Sequence, residues 1–133
     1  MPVNTQVVSL NEEGQIKIAI YGYLIETELK PSRDTVLFVS ASDSEYRAIK
    51  SKFPSCIFSL AERAEITKDR KVLDKVSKHP GIILEVKWIK IDGEKAKAHA
   101  GYFSGAGITF DFELRRIKMW GIEKVIGPTV ADY

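Results

Sequence analysis

A chain of 133 residues that is 44% hydrophobic, 10% aromatic and 29% charged has the profile of one soluble domain and excludes the disordered, fibrous and membrane-spanning classes. Its 20 Lys and Arg stand against 18 Asp and Glu, a formal charge of +2, which marks neither nucleic acid nor an anionic membrane as a partner. Cys56 is the sole cysteine. Neither an internal disulfide nor a Cys-based zinc site can form, and a reducing, cytoplasmic setting is favoured. The opening Met1-Pro2-Val3-Asn4-Thr5-Gln6 lacks the basic and apolar blocks of a secretory signal, and no apolar run approaches the ~20 residues of a membrane helix. The chain is therefore read as complete, soluble and cytoplasmic.

Ser9-Leu10-Asn11-Glu12 fits a capping box, in which a Ser side chain and a Glu three residues on satisfy free amides at a helix start. Ile16, Ile20, Tyr23 and Leu24 then form one helical face, and Ile18, Tyr21 and Ile25 a second, so the helix is expected to be buried over more than half its circumference. Ile16, Ile18 and Ile20 also alternate as a strand would, and Gly14 and Gly22 weaken a helix. The alternation breaks at Tyr23-Leu24-Ile25 and the segment outruns a usual strand, so a helix ending at Lys30-Pro31 is expected. Thr35-Val36-Leu37-Phe38-Val39 reads as a strand, and Ser42-Asp43-Ser44-Glu45 starts a second helix that runs to about Phe53-Pro54. Ile57 to Leu60 fits strand or helix. Glu62 to His79 mixes both signs of charge and reads as a solvated connection.

The C-terminal half reads as an antiparallel meander. Ile82 to Ile91 is a long strand, Asp92-Gly93 a two-residue hairpin turn, and Lys95 to Ser104 the returning strand. Ala96, Ala98, Ala100 and Tyr102 alternate with Lys95, Lys97, His99 and Gly101, which makes one face apolar and the other wet. A third strand, Ile108 to Arg116, turns Ile108, Phe110, Phe112 and Leu114 to one side. A loop Gly105-Ala106-Gly107, with Gly107 left-handed, sets Tyr102 opposite Phe110, Ala100 opposite Phe112 and Ala98 opposite Leu114. His99 then faces Glu113, and Lys97 faces Arg115. The fourth strand, Lys118 to Ile126, has no clean wet face and is expected in the sheet interior or against a partner.

Helices followed by a meander make an α+β domain whose helices must cover the apolar sheet face. Ala96, Ala98 and Ala100 remove volume from a face otherwise lined by Leu84, Val86, Trp88, Tyr102, Phe110 and Phe112. Either a helix approaches closely there or a cavity is left.

Three stretches carry a family resemblance: Ile82 to Ile91 with Asp92-Gly93-Glu94-Lys95-Ala96-Lys97-Ala98, then Gly101-Tyr102-Phe103-Ser104-Gly105, then Met119-Trp120-Gly121-Ile122 after a Phe-rich strand. Over residues 80 to 126 the chain resembles the C-terminal sheet of the nuclear-transport-factor-like (cystatin-like) cone fold, as found in small bacterial members. The resemblance implies N-terminal helices packed on a curved, mostly antiparallel C-terminal sheet, one domain over 1–133, a pocket at the open end of the cone and dimers formed through the outer sheet face. It also implies several functions, among them steroid isomerases, polyketide cyclases, dehydratases and accessory domains without catalysis, so fold does not select function. Isomerase-type chemistry needs a carboxylate inside an apolar cone, whereas Asp111 and Glu113 fall on the wet face in the expected register. No catalytic residue is assigned.

His99 beside a cross-strand Glu113 reads as a surface ion pair, and His79 before Pro80-Gly81 as a turn residue. Two histidines without a carboxylate cluster give no metal site, and no cofactor is expected. Gly101 to Gly107 joins two strands and lacks the Lys-Ser/Thr of a phosphate loop, and Cys56 has no histidine near it in sequence. Lys95, Lys97, Arg115, Arg116 and Lys118, with Asp111, Glu113 and Glu123 nearby, read as a mixed sheet surface. The candidate ligand pocket is Tyr21, Tyr23, Trp88, Ala98, Ala100, Tyr102, Phe110, Phe112 and Trp120. The leading expectation is a non-catalytic domain that binds a small apolar ligand or a partner protein, as a homodimer through the sheet, with no nucleic acid and no membrane as partner. The rivals are a pocket enzyme of the isomerase, cyclase or dehydratase kind, using a helix carboxylate such as Glu26 or Asp43, and an immunity- or inhibitor-type protein partner.

Overall fold

A computed structural model of the chain describes residues 10–131 with the exception of residue 32. The first helix, α1 (Glu12–Tyr23), is capped by Asn11, whose side chain accepts a hydrogen bond from the amide of Gly14 at 2.7 Å. The expected cap Ser9 lies outside the described residues. Asn serves the same purpose, presenting an oxygen to an orphan amide of the first turn. The helix widens into a π-helical stretch, Leu24–Leu29, and stops at Lys30, which adopts the left-handed conformation at φ 39 just before Pro31. Proline has no amide with which to carry the helix further.

Strand β1 (Val36–Val39) is buried along its whole length. It is followed by α2 (Asp43–Lys52), which starts at Ser42 as expected and is closed there by a capping box: Glu45 N–H donates to Ser42 Oγ at 3.3 Å and Ser42 N–H to Glu45 Oε1 at 2.9 Å. Glu45 also accepts from Lys17 Nζ at 3.2 Å, which ties α2 to α1. Ile57 to Leu60 is strand β2 (Ile57–Leu60), parallel to β1. Parallel pairing on both edges and burial on both faces explain why β1 reads as an unbroken apolar run.

The charged stretch expected as a solvated connection is folded instead. Strands β3 (Ala64–Ile66) and β4 (Val72–Asp74) form a small antiparallel hairpin. Val72 is buried in a cluster with Val36, Phe38 and Phe103, so the hairpin covers the side of the sheet away from the helices. Asp74 is buried as well, accepting from the amides of Val76 at 2.8 Å and Ser77 at 3.0 Å and from Arg63 at 3.3 Å. Charge composition hid Val72, the buried apolar residue that anchors the hairpin with Ala64 packed beside it.

Strands β5 (Gly81–Asp92), β6 (Lys95–Phe103), β7 (Gly107–Arg116) and β8 (Trp120–Ala131) complete a curved, unclosed six-stranded sheet of order β2-β1-β5-β6-β7-β8. The architecture is α+β, with α1 and α2 on one face. β5 pairs parallel with β1, and the meander from β5 to β8 is antiparallel. The turn between β5 and β6 is one residue later than expected: Asp92 pairs with Lys95, leaving Gly93 and Glu94 as the loop with Gly93 at φ +63. A positive φ at the first central position alone is the pattern of a type II′ turn.

The β6–β7 register is offset by two residues from the expectation. Phe103 pairs with Gly107, so the loop is Ser104-Gly105-Ala106 and Gly105, at φ +98, is its left-handed residue instead of Gly107. Ala100 faces Phe110, Ala98 faces Phe112 and Ala96 faces Leu114, while His99 meets Asp111 and Lys97 meets Glu113. An even offset leaves every side chain on its expected face and changes only its partner. A further correction concerns β8, which is an edge strand and not interior. Register breaks opposite Thr109/Asp111, where Pro128 lies, and opposite Glu113/Leu114 interrupt this long edge, and such irregularities hinder pairing with stray strands.

Candidate functional site

Under the helices the sheet face is a continuous core. Ile16, Ile20, Tyr21, Leu24 and Ile25 of the first helical segment join Ala96, Ala98, Ala100, Phe110, Phe112, Leu114 and Trp120 of the sheet in one buried cluster. The three alanines thus lie where the helix side chains come down on the sheet, because a small side chain lets the facing element approach. Tyr21 is fully buried and donates its hydroxyl to the Ser40 carbonyl at 2.8 Å. Burial pushes its phenol well above the ordinary value. Tyr23 meets the Phe112 ring edge-on at a centroid distance of 5.6 Å, and Phe110 lies 6.0 Å from Phe112 and 6.4 Å from Tyr102. Tyr102 is half-buried, its phenol raised by burial and by the nearby Glu28.

Trp120 is 4% exposed, its indole Nε1 has no hydrogen-bond acceptor among the described residues, and the Arg116 guanidinium lies over its ring at 5.9 Å. Glu26 and Asp43, the helix carboxylates of the enzyme expectation, are both exposed.

Eight of the nine residues expected to share a pocket therefore belong to one face: Tyr21, Tyr23, Ala98, Ala100, Tyr102, Phe110, Phe112 and Trp120 lie in or against the helix-covered core. Trp88 does not, and its expected place beside Val86 is corrected. The β5–β6 register shifts at Lys87, a bulge residue between Val86 opposite Ala100 and Trp88 opposite His99. A bulge reverses the alternation beyond it. Ile89 and Ile91 take the core side, and Trp88 turns to the opposite face, where it is 49% exposed. Simple period-two counting cannot detect such an insertion.

On that outer face a row crosses four strands. Trp88 is registered with His99, His99 with Asp111 and Asp111 with Ile126. Trp88 stacks on the His99 ring at 6.1 Å and 15°, and His99 Nδ1 is 2.8 Å from Asp111 Oδ1. The expected Glu113 partner of His99 is replaced by Asp111 through the two-residue offset. A carboxylate on one ring nitrogen fixes the orientation of the imidazole. Ile126 is 47% exposed at the end of the row. The next rung is charged, with Lys90, Lys97, Glu113 and Lys124 in register.

On the other side of the row, a half-open groove of about 370 Å³ runs between the β3–β4 hairpin and the sheet. Its lining includes Ile66, Ile83 and Phe103 with Arg70, Lys87 and Glu85, and it reaches Gly101 and Tyr102. Gly101 suits this place because a Cβ there would collide with the Ile108 carbonyl of β7. None of the hairpin residues was foreseen as part of a site.

Among the described residues no group of three or more His, Cys, Asp or Glu is placed to hold a metal ion, and no helix is long and apolar enough to cross a membrane. Burial raises the Cys56 thiol above its ordinary value, the opposite of what a reactive thiolate needs. No known protein family, curated protein or solved structure matches the chain.

Proposed function

We propose that this chain is a non-catalytic binding domain that works through the outer face of its sheet, and that a second copy of the same chain docks there to form a homodimer. The observation that carries the reading is Trp88, delivered to the outer face by the Lys87 bulge and left half-exposed in register with His99, Asp111 and Ile126. A half-exposed Trp on a largely polar sheet face is the kind of anchor that dominates protein interfaces. The adjoining rungs carry both signs: Lys90 and Lys97 beside Glu113, and Asp92 beside Lys95 and Arg115. A two-fold axis through the row brings two copies of the same face together, and a formal charge of +2 opposes self-association only weakly.

The packed helix side of the sheet favours this reading over an apolar ligand held there, and the cone-type dimer implied by the family resemblance uses the same face. Sedimentation equilibrium of the wild type and of Trp88→Asp tests it. The wild type is expected at twice the chain mass, and the variant at the chain mass with the far-ultraviolet circular dichroism spectrum of the wild type. A wild type that stays monomeric at hundredfold excess over micromolar concentration, or a Trp88→Asp variant that still dimerises, overturns the proposal.

A further inference from the structure

The groove beside the β3–β4 hairpin holds a guanidinium fixed in place. Arg70 occupies the hairpin turn in the left-handed conformation, φ 66, a region where an arginine is uncommon. Its Nε donates to the Gly105 carbonyl at 3.0 Å and its plane lies over the Phe103 ring at 5.4 Å. One edge and one face of the group are thereby occupied. The remaining four N–H bonds of its Nη atoms have no acceptor among the described residues. Next to this fork the lining is apolar, with Ile66, Ile83 and Phe103. Lys87 and Glu85 complete the charged part of the groove, so its lining charges sum to one positive. Ile66 is more than half exposed and offers its side chain to the groove.

We propose that this groove binds a small monocarboxylic acid with an apolar tail. The carboxylate sits on the Arg70 Nη fork, where two parallel N–H···O bonds match its geometry, and the tail lies on Ile66, Ile83 and Phe103. A volume of about 370 Å³ falls at the small end of ligand sites, which suits a free acid better than a folded partner. The site is distinct from the Trp88 row and does not depend on dimer formation.

The test is titration of the full chain, followed by amide chemical shifts, with hexanoate, with hexanamide and with an acetylated tetrapeptide ending in leucine. Hexanoate is expected to move the resonances of Ile66, Arg70, Ile83 and Phe103, and to bind at least tenfold more tightly than hexanamide. Arg70→Gln should weaken hexanoate about tenfold and leave hexanamide unchanged, and Arg70→Lys, which keeps the charge but loses the fork, should fall between. Arg70 is exposed, so both variants are expected to fold, as their circular dichroism will show. Equal binding of acid and amide, shifts confined to other residues, or an Arg70→Gln variant with wild-type affinity overturns the proposal. Tighter binding of the tetrapeptide than of hexanoate overturns the assignment to a free acid.

Discussion

Replacing Ala98 by leucine adds three carbons at the middle of the helix-covered face, where Ala98 is fully buried between Ile89 and Phe112 in register. If the three alanines left an open pocket there, the added carbons would leave water without displacing anything. At about 0.8 kcal/mol per buried carbon the fold would then gain roughly 2 kcal/mol. Ala98 instead shares one cluster with Ile20, Tyr21, Leu24 and Phe112, each at 0–1% exposure, so leucine must push a neighbour off its rotamer. Overpacking of this kind costs about 1–3 kcal/mol. The two outcomes differ in sign. Urea unfolding followed by far-ultraviolet circular dichroism resolves them, since with an m-value of about 1–3 kcal/mol per molar the midpoint should fall by about 1 M for Ala98→Leu. A midpoint that rises, with m unchanged, refutes the packed core and reinstates a pocket under the helices.

Tyr21→Phe removes the hydroxyl that donates to Ser40 and leaves that carbonyl without its donor, for an expected loss of about 1–2 kcal/mol that reads as a few degrees in the thermal midpoint. Asp74 is held well below the ordinary carboxylate range by the amides of Ser77 and Val76 and by Arg63. A depressed folded value contributes stability that is present above about pH 4 and is lost as acidification carries the pH down through the folded value. Asp74→Asn should therefore be less stable than the wild type at pH 7, and urea midpoints measured from pH 5 to pH 2 should show the gap closing as the wild type loses its advantage. A gap that stays constant with pH would mean that the Asp74 carboxylate does not carry this acid sensitivity.

Local chemistry was legible wherever its cause is local. The helix start at Ser42-Asp43-Ser44-Glu45, the stop at Lys30-Pro31 and the alternation of Ala96, Ala98 and Ala100 with Lys95, Lys97 and His99 each depend on residues a few positions apart, and each is found in the structure. The α+β class followed from the same signals. Of the candidate pocket, eight residues share a face because strand periodicity and helix periodicity decide which way a side chain points. Whether that face encloses a cavity was beyond periodicity, since it depends on how closely α1 approaches the sheet.

What tertiary structure alone decided are the insertions and pairings. The Lys87 bulge reverses the phase of β5 and sends Trp88 outward. A loop of Ser104-Gly105-Ala106 in place of Gly105-Ala106-Gly107 gives His99 the partner Asp111. The hairpin at β3–β4 forms because Val36 and Phe38 need cover on the second face of β1, and Val72 supplies it across more than thirty residues of sequence. A single extra residue or a distant apolar partner leaves no periodic trace in the chain. Composition and spacing therefore determine an α+β domain of near-neutral charge, while the exposed row at Trp88 and the groove at Arg70 exist only once non-local backbone pairing has chosen its register.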